Sequence, residues 1–308
     1  MTARHPPAHG HAIRVATWNL QAGPRGWAGR LEDRARLLDA LDTEHGPWTV
    51  LFAQEVPPGG FDQLADTLVA DDGAWAWHDR PGKDAATATG TALLVRRPWR
   101  LADHGMLDAA PSPKRPLAGQ IHRAVPGRRL AVLSAALPPG GIRQGQQPAP
   151  GADPWGARKA EQAHAIADWV DTQRDDGLPV VVGIDANAPA TDPPDWNDIR
   201  YWWDAEARLL GPDAAAKDAY RLWLDEHPDE LARLTQLRPH GPLACTHLRG
   251  NTIPARYDHL LVSDDVGIIC IDHVVADAFA AGSDHALVHA QVALEPPPSL
   301  GRQQPRSG

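Results

Sequence analysis

A chain of 308 residues is long enough for one large domain or two small ones, and it can bury a core without staples. Hydrophobic residues make up 43 %, which excludes a disordered or fibrous polymer. The 30 Lys and Arg against 39 Asp and Glu give a formal charge of −9, which argues against an unselective polyanion binder but not against a local basic groove.

The first ten residues are polar and carry His5 and His9, with His11 just beyond; a disordered tail is expected over residues 1–11. No apolar run of signal-peptide type follows Met1. Ile13 to Trp18 is a short apolar strand ending in Asn19. Leu31, Ala35, Leu38 and Leu41 recur at helical spacing and predict an amphipathic helix over about 29–42. Thr49 to Ala53 is a second strand, ending at Gln54-Glu55 before the Pro57-Pro58-Gly59-Gly60 break. Phe61, Leu64 and Leu68 mark a second helix. Ala74 to His78, Thr91 to Arg96 and Leu130 to Ala135 read as strands.

Leu137 to Pro154 is rich in Pro, Gly and Gln and reads as a long loop. The next helix, about Trp155 to Gln173, turns Ile166, Trp169 and Val170 inward. Val180 to Ile184 is a buried strand that opens onto Asp185. Pro189 to Leu243 looks helical and irregular; its Trp196, Trp202, Trp203 and Trp223 pack a core or form a stacking platform. Arg256 to Ser263, Gly267 to Val275 and Ala286 to Val292 are late strands. Residues 295–308 are mainly Pro, Gln, Arg and Ser, and a second disordered tail is expected there. Strands interleaved with helices, then strands without crossovers, predict one α/β domain over 12–294 with mixed sheets. No stretch is long and apolar enough for a membrane helix, and two cysteines are too few for a disulfide framework. A cytoplasmic protein is expected.

Polar residues cluster just after or before apolar strands. Asn19 follows the first, Glu55 the second, and Asp185 with Asn187 the central one. Asp258 starts a late strand, and Asp284-His285 precedes the last. Strand ends project side chains to one rim, where loops form clefts. Carboxylates, amides and a histidine converging there suit a hard cation with oxygen ligands. Each motif alone also reads as ordinary turn or strand-cap chemistry. Cys245-Thr246-His247 lacks a second pair at zinc spacing and reads as structural.

Order and spacing together carry more. Val15-Ala16-Thr17-Trp18-Asn19-Leu20, Leu51-Phe52-Ala53-Gln54-Glu55 and Gly90-Thr91-Ala92-Leu93-Leu94-Val95 come first. Val180 to Asn187, Arg256 to Ser263 and Gly282-Ser283-Asp284-His285 follow. In this order, over about 13–293, the set resembles the endonuclease/exonuclease/phosphatase superfamily of metal-dependent phosphoesterases. The resemblance implies a four-layer αββα sandwich, with two mixed β-sheets flanked by helices. It implies Glu55 as the principal metal ligand, with Asn19 and Asp284 at the metal site, for Mg2+ or Mn2+. It implies Asp185 as the residue that positions or deprotonates the attacking water. Asn187, Asn19 and His285 would bind phosphate, and Asp258 would orient His285.

Three departures stand out. The family usually carries a His or Tyr where this chain has Ala135 or Ala136. Ile184 precedes Asp185 where the family often has Gly, with Gly183 one place earlier. His259 follows Asp258 where an aromatic is common; it is a strand histidine or a partial substitute for the missing group. The resemblance implies a phosphoester hydrolase working by in-line attack of water. Its substrate is either a nucleic acid, DNA or RNA, or a small or lipid-linked phosphate. The charge and the scarcity of Lys lean toward the second, although arginines such as Arg143 and Arg158 could line a groove. A binding or scaffold protein on the same fold is the alternative, motivated by the missing side chain. The sequence leaves the oligomeric state open.

Overall fold

The computed structural model describes residues 12–20, 27–57, 60–67, 70, 72–77, 89–107, 116–123, 127–138, 154–187, 208–211, 213–239, 242–249 and 253–294. The expected tails, the His5–His11 tract, Arg143, Trp196, Trp202 and Trp203 lie outside them, as does most of the Leu137–Pro154 loop.

Two six-stranded sheets face each other. The first holds β1 (Ala12–Asn19), β2 (Val50–Val56), β3 (Asp72–Trp77), β4 (Gly90–Val95), β13 (Gly267–Val274) and β14 (Leu287–Ala293), in the order β13-β14-β1-β2-β4-β3. The second holds β5 (Trp99–Met106), β6 (Leu117–Arg123), β7 (Arg128–Ala136), β8 (Val180–Asp185), β9 (Lys217–Asp218) and β12 (Asp258–Val262), in the order β5-β6-β7-β8-β12-β9. The β1–β2 and β7–β8 pairs are parallel and the other pairs antiparallel, so both sheets are mixed. A short ribbon, β10 (His247–Arg249) with β11 (Ile253–Ala255), stands apart.

Strand alternation sorts the apolar residues into layers. Val15, Phe52, Leu93, Val132, Val181, Leu260 and Val288 fill the space between the sheets. Ala16, Trp18, Leu51 and Leu94 point outward onto Leu31 and Leu38 of α1 (Trp27–His45) and Leu64 of α2 (Gly60–Thr67). Leu133, Ala135, Val182 and Ile184 point outward onto Ala163, Ile166 and Val170 of α3 (Pro154–Asp175). The result is the expected four-layer αββα sandwich. Two further helices, α4 (Ala219–Glu226) and α5 (Pro228–Leu237), follow β9, and a short α6 (Ala276–Ala280) precedes β14.

The Gly183-Ile184 order has a physical reason. Gly183 faces the inter-sheet space, where an added Cβ would lie 2.4 Å from Phe52 Cβ. Only glycine lets the sheets approach there. Ile184 faces the helix layer, where an apolar side chain belongs.

β5, β6, β9, β10, β11 and α6 are additional to the elements expected from the sequence. β5 is an exposed edge strand whose register shifts between Ala102 and Gly105, with Asp103 at φ 47°. A bulge of this kind breaks the period-2 signal. β9, β10 and β11 are too short for periodicity to register.

Candidate active site

Topology brings the chemistry to one rim. Parallel β1 and β2 both end there, carrying Asn19 and Glu55. Antiparallel β14 begins there, just after Asp284-His285. In the other sheet β8 ends with Asp185 directly opposite Asp258, the first residue of antiparallel β12.

Gln54 is fully buried beneath the rim. Its Nε2 donates to Thr17 Oγ1 at 3.0 Å in its own sheet and to Ser134 Oγ at 3.1 Å in the other. Buried amides need such partners, and this one ties the sheets together. The next residue, Glu55, is left-handed with φ 54°. The β2–β4 register shifts between Ala53 and Val56, so a bulge sits here. Bulges re-aim side chains. A non-glycine residue held in this region costs ~1–3 kcal/mol, and such residues cluster at functional sites.

Asp185 is fully buried and held by two amides. Asn19 Nδ2 donates to its Oδ2 at 2.9 Å, and Asn187 Nδ2 to the same oxygen at 2.9 Å. The Asn187 backbone N–H donates to Oδ1 at 2.9 Å. Asn187 is also left-handed, with φ 46°, which curls its side chain back over Asp185. Its Nδ2 reaches the Leu137 carbonyl at 2.9 Å as well. The fixed carboxylate is set to orient a water or accept its proton.

His285 faces the Asp258 carboxylate, with Nδ1 2.9 and 3.1 Å from its two oxygens. Burial alone would lower the imidazole pKa. The carboxylates of Asp258, Asp185 and Asp284 outweigh it and push the pKa up to about 10. His285 is therefore an imidazolium at neutral pH, suited to phosphate oxygen. Around it, Trp18 Nε1 donates to the His285 carbonyl at 3.1 Å, and Ser283 Oγ receives the His285 N–H at 3.0 Å. Ser283 Oγ in turn donates to the Asn19 carbonyl at 2.7 Å. Ligand-capable atoms of Asp185, Asp258 and His285 all lie within 4.8 Å of one another.

Two participants escaped the sequence reading. Thr246 Oγ1 accepts the N–H groups of Tyr257 and Asp258 at 2.8 and 3.1 Å, which fixes the start of β12. His247, read as structural, bridges to His285 across an isolated β-bridge, with ring centroids 4.6 Å apart. Its Nδ1 lies 3.0 Å from the Asp284 carbonyl. Only the His type at 247 was visible in the sequence; the bridge that brings it to His285 is a long-range contact.

Asp284 and Glu55 supply the test for a cation. Burial raises the Asp284 pKa; the neighbouring His285 and His247 oppose the rise, and the Glu55 charge adds to it. Asp284 Oδ1 is buried without a hydrogen-bond partner. Asp284 Oδ1 lies 3.7 Å from His285 Nε2, and a carboxylate oxygen without a hydrogen bond near the Glu55 charge is chemistry that suits a hard cation.

The structure decides between Ala135 and Ala136. Ala136 pairs with Asp185 across β7–β8, so its Cβ shares the face of Asp185. Ala135 pairs with Ile184 and points into the α3 layer. His259 is no substitute. Strand alternation turns it away from Asp258, and its Nδ1 binds Asp218 Oδ2 at 2.7 Å beside Arg256.

The profile described as the Endonuclease/Exonuclease/phosphatase family matches residues 16–285. A Bacteroides vulgatus endonuclease/exonuclease/phosphatase structure superposes with TM-score 0.64 at 17% identity, covering 92% of this chain and 99% of that one. D. rerio TDP2 complexed with a single-strand DNA product gives TM-score 0.59 at 14% identity, covering 91% and 98%. A Bacteroides thetaiotaomicron mannosyl-6-phosphatase gives TM-score 0.57 at 14% identity, covering 91% and 99%. No curated protein matches the sequence.

Proposed function

The chain belongs to the endonuclease/exonuclease/phosphatase family, and from that premise we propose that it is a divalent-metal-dependent phosphoester hydrolase. The observation that carries the reading is the pairing of two prepared groups on one rim. Asp185 is a carboxylate locked by Asn19 and Asn187, and His285 is a cation locked by Asp258.

A phosphoester is anionic and repels an incoming hydroxyl. In this reading Asp185 orients the attacking water and takes its proton. His285 donates from Nε2 to a non-bridging phosphate oxygen, and the Asn187 amide adds a second donor nearby. Glu55, Asp284 and Asn19 would hold Mg2+ or Mn2+. When bound, that cation would neutralise phosphate charge and favour in-line attack. The water adds to phosphorus, and the leaving oxygen departs with its electron pair. At Ala136 no side chain reaches out to protonate it.

The substrate is a phosphate ester. The relatives include a DNA-product complex and a sugar-phosphate phosphatase, so the fold does not choose between them. The −9 charge favours a small or lipid-linked phosphate over a nucleic acid. The proposed catalytic unit is 12–294. Among the described residues no helix is long and apolar enough to cross a membrane. Free thiols at Cys245 and Cys270 suit the reducing cytoplasm, where we place the protein.

The test is hydrolysis of bis(p-nitrophenyl) phosphate, p-nitrophenyl phosphate and plasmid DNA with Mg2+ or Mn2+, each with an EDTA control. Turnover that EDTA abolishes supports the reading. No turnover on any of them, with no cation binding by calorimetry, favours the scaffold alternative.

A further inference from the structure

The apolar stripe of α3 contains Ala163, Ile166 and Val170, which face the second sheet. Counting back one turn from Ala163 reaches Lys159, on the same face. Lys159 is fully buried, a rare fate for lysine. Burying an ammonium is costly unless it is well partnered. Its Nζ donates to the carbonyl of Asn187 at 2.9 Å.

Asn187 is the strained residue of the Asp185 network. Its left-handed backbone lets one residue donate twice to Asp185 and once to the Leu137 carbonyl. Something must hold that conformation against its cost. Leu137 holds the side chain from the end of β7. The Asn187 carbonyl is held separately, by Lys159. An apolar residue would fill the α3 stripe as well as lysine does, but it would leave that carbonyl without this charged donor.

We propose that Lys159 is a positioning residue: its ammonium clamps the Asn187 carbonyl and so fixes the amides that aim Asp185. It touches no reacting atom and acts through Asn187. The proposal rests on the hydrolase reading for its kinetic consequence, but the conformational consequence stands apart from it.

The test compares wild type, Lys159→Met and Lys159→Arg. Aim matters in the transition state more than in ground-state binding. With bis(p-nitrophenyl) phosphate, Lys159→Met should lose ~10- to 100-fold in kcat, the scale of a small misplacement. KM should hardly move, and Lys159→Arg should recover most of the loss. Mn2+ affinity, read by electron paramagnetic resonance, should be unchanged, because Lys159 acts through Asn187, which is not among the proposed metal ligands. An unchanged kcat in Lys159→Met overturns the proposal. So does a loss shared equally by kcat, KM and Mn2+ affinity and not rescued by Arg, because that is general collapse. If Lys159→Met does not fold, Lys159→Gln takes its place and is read in the same way. If the wild type cleaves no ester, the hydrolase reading has failed and the clamp is read by crystallography instead. The variant should show Asn187 out of the left-handed region and its amide released from Asp185. Asn187 unmoved overturns the clamp.

Discussion

Ala136 and Asp185 are registered partners across the parallel β7–β8 pair, with their side chains on one face of the sheet. The group expected from the family pattern is thus missing from the flank of the proposed water-activating carboxylate. A positioned acid is typically worth ~10²–10⁴-fold in rate. Without one, cleavage should be fastest where the leaving group needs little protonation. Aryl esters and phosphoanhydrides should outrun alkyl phosphodiesters such as DNA. A rate series over leaving groups of graded pKa checks this. A steep dependence supports the gap. A flat one with fast DNA cleavage means that another residue has taken over. Ala136→His should raise the alkyl-diester rate if the ring is aimed at the leaving oxygen.

The Asp258–His285 pair sets a pH dependence. Folded His285 has a pKa of about 10 against 6.5 for the ordinary side chain. The raised His285 pKa means that its proton contributes stability that is fully present below about pH 6.5 and is lost as pH rises through about 10. Asp258→Asn removes the largest charge holding that proton. Its alkaline activity limb should move to lower pH, and its stability should fall less steeply between pH 7 and 10 than that of wild type. Denaturant titrations and pH–rate profiles read both. An alkaline limb at the wild-type position would refute the role given to Asp258.

Gln54 bridges the two sheets under the site. Gln54→Leu removes the Gln54 partner of the buried Thr17 hydroxyl and leaves the Ser134 hydroxyl with the Ala53 carbonyl at 3.3 Å. Each unmet polar group costs ~1–3 kcal/mol. The variant should therefore unfold at lower denaturant with an unchanged slope. A stability equal to wild type would mean that the hydroxyls find other partners.

Much of this was legible in the sequence. The strand-end positions of Asn19, Glu55, Asp185, Asp258 and His285 followed from short apolar runs and their polar stops. Local signals of that kind survive in sequence because burial dictates them. What failed to show is long-range. Gln54 reads as a loop amide until Ser134 is seen across from it. His247 reads as structural until the β-bridge places it against His285. Whether Ala135 or Ala136 faces the site depends on a one-residue register, which pairing sets. The bulged edge strand β5 broke its own alternation and stayed hidden.

Glu55→Gln is nearly isosteric but removes the negative charge proposed to hold the cation. The fold should persist, and the Mg2+ concentration for half-maximal activity should rise by at least ~10-fold, since hard dications depend on carboxylate charge. Wild-type activity at limiting Mg2+ would show that Glu55 is not the ligand.

Asp185→Asn tests the central claim most directly, in a steady-state assay on bis(p-nitrophenyl) phosphate with saturating Mg2+. Both carboxylate oxygens accept amide N–H groups at 2.9 Å, Oδ2 from the Asn19 and Asn187 side chains and Oδ1 from the Asn187 backbone, so the variant loses the charge that deprotonates water together with at least one of the bonds that aim the group. The prediction is a fall in kcat of ~10²-fold or more with KM nearly constant, the pattern of a group that acts in the transition state. A rise in KM with kcat unchanged would contradict the assignment of Asp185 to the attacking water.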